Sequence, residues 1–360
     1  MNKDKEKTFI RQTTLPEIGE IGQEKISKSK IAIIGCGGLG SAAAVYLAAT
    51  GVGHIHLIDY DTVDLSNLHR QVFYRRDQVG KSKAKTLAAY MSEISAYVEV
   101  SFAEVPITKS NIDDHLKAFS LVVDCTDSLA TKYLINDYCV LQKKTLIYGS
   151  LYKHDGYVSV FNARSKGQRS AHLRDAFPSM PKKHIPNCSE IGTLNPIVGI
   201  IGLMQANEVI KLITETGKPL INKILIYNSM ENSQFSMKLK PDFPLTEVEV
   251  IFNTNSYFDA RCQVQEESFL IDADELKKRI DDENLKIISV IENQSVPPPF
   301  PIDLHMPLSS LDPSKLESMT ENIIVVICQK GISSYTATEQ IKKKYPHLLV
   351  YSLKNGIDQY

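Results

Sequence analysis

The run Ile31-Ala32-Ile33-Ile34, with Gly35-Cys36-Gly37-Gly38-Leu39-Gly40 immediately after it, restricts the possible folds more than any other part of the chain. Consecutive apolar residues without period-two alternation mark a strand buried on both faces of a parallel sheet. Closely spaced glycines lead from it into a predicted helix over Ser41 to Thr50. Such a turn aims backbone N–H groups at phosphate oxygens. Side chains at Gly37 or Gly38 are expected to block that approach, and the turn asks for dihedrals that glycine adopts freely. A second strand, His54-Ile55-His56-Leu57-Ile58, then delivers Asp59 at roughly the twenty-residue spacing where a carboxylate accepts from ribose hydroxyls. The plainer alternative is a sheet turn whose glycines serve packing alone.

The residues beyond Asp59 separate triphosphate chemistry from hydride transfer. Ser66-Asn67-Leu68-His69-Arg70-Gln71 and Val79-Gly80-Lys81-Ser82-Lys83 place cations near the ribose, where a dehydrogenase has no use for them. Arg70 and Lys83 suit the neutralisation of charge that develops on phosphates during transfer. The competing reading, a solvated helix charge, is preferred for Lys81 and Lys85. A third strand, Ser120-Leu121-Val122-Val123-Asp124, runs into Cys125-Thr126-Asp127-Ser128, at the sheet edge where open α/β folds bind ligands. Asp127 reads as a magnesium ligand, because magnesium takes one or two carboxylates together with phosphate oxygens. It also reads as a helix N-cap, and the two roles are compatible.

The predicted fold class is α/β: a doubly wound, mostly parallel Rossmann-like sheet with added strands, plus a smaller α/β unit. With 360 residues, 43% of them hydrophobic, the chain exceeds the roughly 250–300 residues at which single cores stop growing. Residues 1–245 read as the first domain, 246–265 as a linker of weak periodicity, and 266–360 as the second domain. A polar stretch from Asn162 to Asn187 is too long for an ordinary connection and leads through Cys188 to a mostly apolar helix from Ile197 to about Thr214. The second domain is expected to hold a helix over Asp274 to Arg279, a strand over Leu285 to Val290, the strand Ile323 to Ile327 ending at Cys328, and a helix over Tyr335 to Lys344. A net charge of −1 leaves no electrostatic footprint for nucleic acid. Six cysteines, at 36, 125, 139, 188, 262 and 328, form no short-spaced pairs and no disulfide framework. The polar N-terminus has no signal core, and no apolar run approaches the ~20 residues of a membrane span. A cytoplasmic protein is expected.

Residues 1 to about 245 resemble the ubiquitin-activating-enzyme-like adenylyltransferases of sulfur-carrier pathways, the group that includes ThiF, MoeB and HesA. Arg11-Gln12, Leu15-Pro16, Gly22-Gln23, Gly35 to Gly40, Asp59-Tyr60-Asp61, Ser66 to Gln71, Val79-Gly80 with Lys83, Asp124 to Asp127, and Pro196 with Gly199 and Gly202 carry the resemblance. It implies ATP contacts from Gly38, Asp59, Asp61, Ser66, Asn67, Leu68, His69, Arg70, Gln71, Lys83, Asp127 and Ser128, with magnesium on Asp127. It implies that Arg11 reaches the phosphates of the other subunit in a homodimer. The implied reaction is attack of a carrier's C-terminal glycine carboxylate on the α-phosphate of ATP. The implied partners are a small ubiquitin-like sulfur carrier ending in Gly-Gly and a sulfur donor such as a cysteine desulfurase. The implied pathways are molybdopterin or thiamine biosynthesis or tRNA thiolation.

The chain departs from this group in one respect. Relatives commonly hold a structural zinc with two Cys-x-x-Cys pairs, and neither pair occurs around Ser170 to Arg174 or around Lys240 to Phe243. Half a tetrahedral site is of little use, so no zinc site is expected. Cys188 lies where the resemblance places a cysteine that, in some members, bonds covalently to the carrier; a buried loop cysteine is the other reading. Cys36, Cys125 and Cys139 read as packing residues.

Residues 266–360 resemble a rhodanese-like domain through the strand ending in Cys328, Gly331 three residues on, and the terminal Leu353 to Tyr360. The resemblance implies sulfur carried as a persulfide on Cys328, whose place before a helix N-terminus favours the thiolate. Ser333 stands where such loops usually have Arg, and Ser289-Val290-Ile291 replaces the usual Asp-Val-Arg. Two other functions stay open at this point: adenylation of another peptide C-terminus, and a non-catalytic nucleotide-binding scaffold.

Overall fold

The computed structural model describes residues 3–165, 168–181, 192–255, 257, 266–292, 298–317, 319, 322–329 and 331–360. Its centre is the predicted first strand. β1 (Lys30–Ile34) is flanked by β2 (His54–Ile58) and β4 (Leu121–Asp124), and all three run parallel. β3 (Glu99–Ala103) extends the sheet beyond β2, and β5 (Thr145–Tyr152) extends it parallel beyond β4. The added strands are antiparallel: β6 (Asp155–Phe161) on β5, then, past a short ribbon of β7 (Arg164–Ser165) and β8 (Gln168–Arg169), β9 (Lys223–Asn228) and β10 (Ser233–Lys238). The order β10-β9-β6-β5-β4-β1-β2-β3 reverses direction at β1. That reversal opens a crevice between the carboxyl ends of β1 and β4, where ligands of doubly wound sheets bind.

The sheet separates two cores. Ile31 and Ile33 of β1 face one, while Ala32 and Ile34 face the other, as a strand buried on both faces must. Helices α1 (Lys3–Thr13), α2 (Gly19–Lys28), α3 (Gly38–Thr50), α4 (Lys83–Ile94), α5 (Ile112–Leu116), α6 (Leu129–Leu141) and α7 (Leu173–Ala176) come in chain order, and the helix Asn195–Thr214 packs along α3. Gly202 makes that packing close: a Cβ there would lie 2.5 Å from the Leu39 carbonyl.

Two expectations are corrected by the fold. The 20-residue helix Asn195–Thr214 is long and apolar enough, by length and composition, to cross a membrane. Ile197, Val198, Ile201, Ala206 and Val209 instead bury it in the first core. Residues 246–265 are not wholly irregular: Leu245–Thr254 is a helix that packs on α6 through buried Val248. Pro244 caps it, and Leu245, Val248 and Phe252 recur at helical spacing. The described residues divide into two compact units, the first ending at Tyr257.

The second unit is an all-parallel five-stranded sheet of order β11-β15-β14-β12-β13. Its strands are β11 (Leu270–Ile271), β12 (Leu285–Ser289), β13 (Leu304–His305), β14 (Ile323–Ile327) and β15 (Leu349–Leu353). Ile324 and Val326 face one core, Val325 and Ile327 the other.

Candidate active site

The phosphate turn is built by backbone constraint. Gly35 has φ +90°, and a Cβ on Gly40 would lie 1.7 Å from the Gly35 carbonyl oxygen, so neither position accepts a side chain. At Gly38 the reason for glycine differs from the expected one. A Cβ there would meet Val198 at 2.1 Å, so this glycine serves packing as well as access. Gly37 is open, with only the Gln71 amide nitrogen 3.5 Å from its Cβ position. The first N–H groups of α3 have no intrahelical acceptor and call for partners outside the helix.

Asp59 locks the turn to β2. Its carboxylate accepts from the Cys36 N–H at 2.5 Å and the Asp61 N–H at 2.7 Å, and each oxygen keeps a lone pair for a ribose hydroxyl. Burial pushes its pKa up to about 6 against the pull of the Lys83 ammonium. Lys83 is itself buried and donates to Asp61 Oδ2 at 2.8 Å. Tyr74 ties these pieces together, its hydroxyl donating to the Cys36 carbonyl at 2.7 Å. Arg70 donates to Asn67 Oδ1 at 2.5 Å and to the Ser66 carbonyl at 3.3 Å. The same carbonyl lies 3.0 Å from His69 Nδ1. Leu68 anchors this short turn by packing on the core. Gln71 is buried, and its Oε1 has no partner among the described residues, which leaves an acceptor for a ligand donor.

From the β4 side, Asp124 Oδ1 accepts from the Thr126 N–H at 3.0 Å and its hydroxyl at 2.7 Å. Asp127 is the next residue of this loop, and Ser128 caps α6 by accepting from the Thr131 N–H. The loop backs onto the phosphate turn, since a Cβ on Gly35 would lie 2.8 Å from the Cys125 carbonyl oxygen. Cys36, Cys125 and Cys139 are all buried, and burial raises each thiol pKa. A carboxylate beside a phosphate-binding turn is the hard-oxygen donor set that magnesium takes, so Asp127 fits it.

Two expected site residues are not brought into this cluster. Exposed Arg11 lies on α1, whose neighbouring Gln12 donates to the Thr50 carbonyl at the far end of α3. Thirteen helical residues separate that carbonyl from the turn, about 20 Å along the axis. Arg11 is therefore remote from the site of its own chain. Cys188 lies outside the described residues.

Where a zinc site would join residues 170–174 to 240–243, the chain has hydrogen bonds and an ion pair. Arg169 pairs with Asp175 at 3.1 Å and donates to the Phe243 carbonyl at 2.6 Å. Asp175 accepts from the Phe243 N–H at 2.6 Å. Burial pushes the pKa of the intervening His172 down to about 4. Among the described residues no group of three or more His, Cys, Asp or Glu is arranged to hold a metal ion, and this set, without a thiolate, does not fit structural zinc.

In the second unit, Cys328 closes β14 just before the helix Ile332–Lys344, which Gly331 enters with φ +76°. The thiol is buried, 3.2 Å from Ser334 Oγ, which lies 2.8 Å from Ser352 Oγ. The C-terminal turn holds the loop: the Ile357 and Asp358 N–H groups each donate at 3.0 Å, to the Cys328 and Gln329 carbonyls.

Sequence reasoning missed Tyr74, Lys132 and Gln205. Lys132 and Gln205 each stand on a mostly apolar helix that carries other polar residues as well, so the sequence gives no signal that singles them out.

The raised pKa of Asp59 has a measurable consequence. Between its ordinary value near 4 and about 6, the folded chain holds a proton that the unfolded chain has lost. The stability this contributes is complete below about pH 4 and is lost as pH rises through 6. An Asp59 that accepts from ribose hydroxyls, as the sequence implies, would do so in its ionised form, so nucleotide affinity at pH 5 is expected to be about tenfold below that at pH 7. Calorimetry across this range checks it, and the Asp59-dependent slope must vanish in Asp59→Ala.

The pattern of the ThiF family matches residues 9–248. Adenylyltransferase and sulfurtransferase MOCS3 of Anopheles gambiae is 36% identical over 245 residues, covering 68% of this chain and 55% of that protein. The chain thus spans about half the length of that relative. The protein of the same name from Drosophila grimshawi is 31% identical over 97% of this chain and 82% of its own length. A crystal structure of E. coli MccB with ATP shares the fold, with TM-score 0.54 and 24% identity over 61% of this chain and 66% of that one. With two thirds of its residues matched and a near full-length relative, this chain belongs to the ThiF family.

Proposed function

We propose that the first unit is an ATP-dependent adenylyltransferase acting on the C-terminal glycine of a small ubiquitin-like sulfur carrier. One observation carries this reading: Asp59, Lys83, Arg70 and the loop of Asp127 gather around a single phosphate turn at the sheet's switch point. The carrier carboxylate attacks the α-phosphorus, the bond to the bridging oxygen breaks, and pyrophosphate leaves. No protein nucleophile is needed, because positioning and charge neutralisation account for such a step. Asp59 holds the ribose, Arg70 and Lys83 meet the phosphates, and Asp127 would hold a magnesium ion, which would supply further charge neutralisation. Arg11 acts on the other subunit of a homodimer, in keeping with its distance from its own turn.

Sulfur enters next. The terminal sulfur of a Cys328 persulfide attacks the carrier's acyl carbon and expels AMP. A thiol then attacks the Cys328 sulfur, which frees the thiocarboxylate and leaves a disulfide on Cys328 that an external thiol reduces. Cys188 is the candidate for a covalent bond to the carrier. Support comes from the Drosophila grimshawi relative, whose match extends over both units, and from the placement of Cys328 before a helix N-terminus. The same match favours sulfur chemistry over adenylation of some other peptide. The proposed setting is the cytoplasm.

Carrier-dependent exchange of radiolabelled pyrophosphate into ATP tests the first step. Exchange is expected with one small Gly-Gly-ending protein. A chain that binds ATP yet exchanges with none of them refutes the reading. Cys328→Ala is expected to retain exchange and lose sulfur transfer from a persulfide donor; unchanged thiocarboxylation reduces the second unit to a docking module.

A further inference from the structure

We infer that Lys132 is a positioning residue of the nucleotide site, its buried ammonium holding the β4–α6 loop in the conformation that presents Asp127. The inference rests on the adenylyltransferase reading of that site. Lys132 stands one turn into α6 and is 2% exposed. Its Nζ donates to Asp124 Oδ2 at 3.1 Å and to the Gly149 carbonyl of β5 at 2.6 Å, and lies 4.8 Å from the centre of the Tyr148 ring. Asp124 is fully buried. Burial is the largest single influence and works against the ammonium, but the charge and hydrogen bond of Asp124 together with Tyr148 and Cys125 hold the Lys132 pKa above its usual value.

The geometry closes a ring. One oxygen of Asp124 takes Lys132, while the other takes the N–H and hydroxyl of Thr126. Asp127 is the next residue, and Ser128 then starts the helix that brings Lys132 back to Asp124. Asp127 thus sits inside a closed circuit whose charged link is Lys132–Asp124. From the opposite side Gln205, fully buried on the Asn195–Thr214 helix, donates to the Asp124 carbonyl at 2.8 Å. Cys125, directly after Asp124, abuts Gly35 of the phosphate turn.

A wholly stabilising role does not account for this arrangement. Replacing a buried ion pair by apolar residues of like volume is often neutral or favourable for stability. An apolar pair cannot, however, orient a carboxylate so that its second oxygen organises the loop. Removing a group that orients a metal-binding carboxylate commonly weakens metal affinity about 10–100-fold.

The test is calorimetry of ATP binding to the full-length chain, with and without magnesium chloride, for wild type and Lys132→Met. No carrier is required. Magnesium is expected to tighten ATP binding in wild type. In Lys132→Met that tightening is expected to shrink by about 10–100-fold, while magnesium-free ATP affinity stays within about twofold. If the variant folds poorly, Asp124→Asn/Lys132→Met removes both buried charges and is measured in the same way. Full retention of the magnesium effect in a variant that binds ATP overturns the inference and leaves the adenylyltransferase reading standing. A wild-type chain that binds no ATP overturns both.

Discussion

Replacing Lys83 by alanine is expected to lower carrier-dependent pyrophosphate exchange by about a hundredfold to a thousandfold. Lys83 is 4% exposed, yet its ionic partner among the described residues is Asp61, whose side chain is half exposed. Asp61 therefore becomes hydrated rather than stranded when the ammonium is removed, and the melting temperature should move little. The catalytic loss has two parts. The charge building on the phosphates loses a fixed cation, and Asp59 loses the neighbour that counteracts its burial, so less of it is ionised to hold the ribose. Exchange kinetics and thermal melting, measured on the same preparation, separate these effects from unfolding. Retention of more than about a tenth of the exchange activity removes Lys83 from the catalytic set.

The largest stability effect is expected at Asp137. This fully buried carboxylate accepts from Arg174 Nε at 2.8 Å and Nη2 at 2.6 Å, from Tyr257 Oη at 2.5 Å and from Asn136 Nδ2 at 2.9 Å. It joins α6 to two distant segments, the α7 region and the end of the first unit. Asp137→Ala leaves a buried guanidinium without its counter-charge, at a cost of about 3–5 kcal/mol, or roughly 10 °C in melting temperature for a unit of this size. It also releases Tyr257, which holds a left-handed φ of 51°, a conformation costly for a bulky residue. The double variant Asp137→Leu/Arg174→Met removes both charges together. It should recover part of the loss, because the penalty lies in leaving one charge alone. Equal destabilisation of the single and double variants contradicts this account.

Elements with a continuous apolar signal were legible without coordinates. β1, β4 and β14 lie within a residue of their expected bounds, because a strand covered on both faces is apolar along nearly its whole length. The helix Leu245–Thr254 was missed because its polar C-terminal end, Asn253 to the capping Asn255, hides a short amphipathic pattern. The order of site residues along the chain was legible too, since turn, ribose acid and cations occur within one stretch of local structure. The reason for glycine at Gly38 was only half legible. Its close neighbour Val198 lies far along the chain, and no local pattern reports that contact.

The same division runs through the whole molecule. Read alone, the sequence suffices for the class of fold, the phosphate turn and the residue types around it, because these depend on hydrophobic period, glycine stereochemistry and charge at short range. Pairings across the chain were settled by the folded structure: Lys132 with Asp124 and Gly149, Gln205 with the Asp124 carbonyl, Arg174 with Asp137 and Tyr257, and Arg11 at the wrong end of α3 for its own site. A lysine, glutamine or arginine reads the same in sequence whether it meets water or a buried partner. Burial distinguishes the two, because it makes an unmet polar group costly and so fixes which groups must find each other.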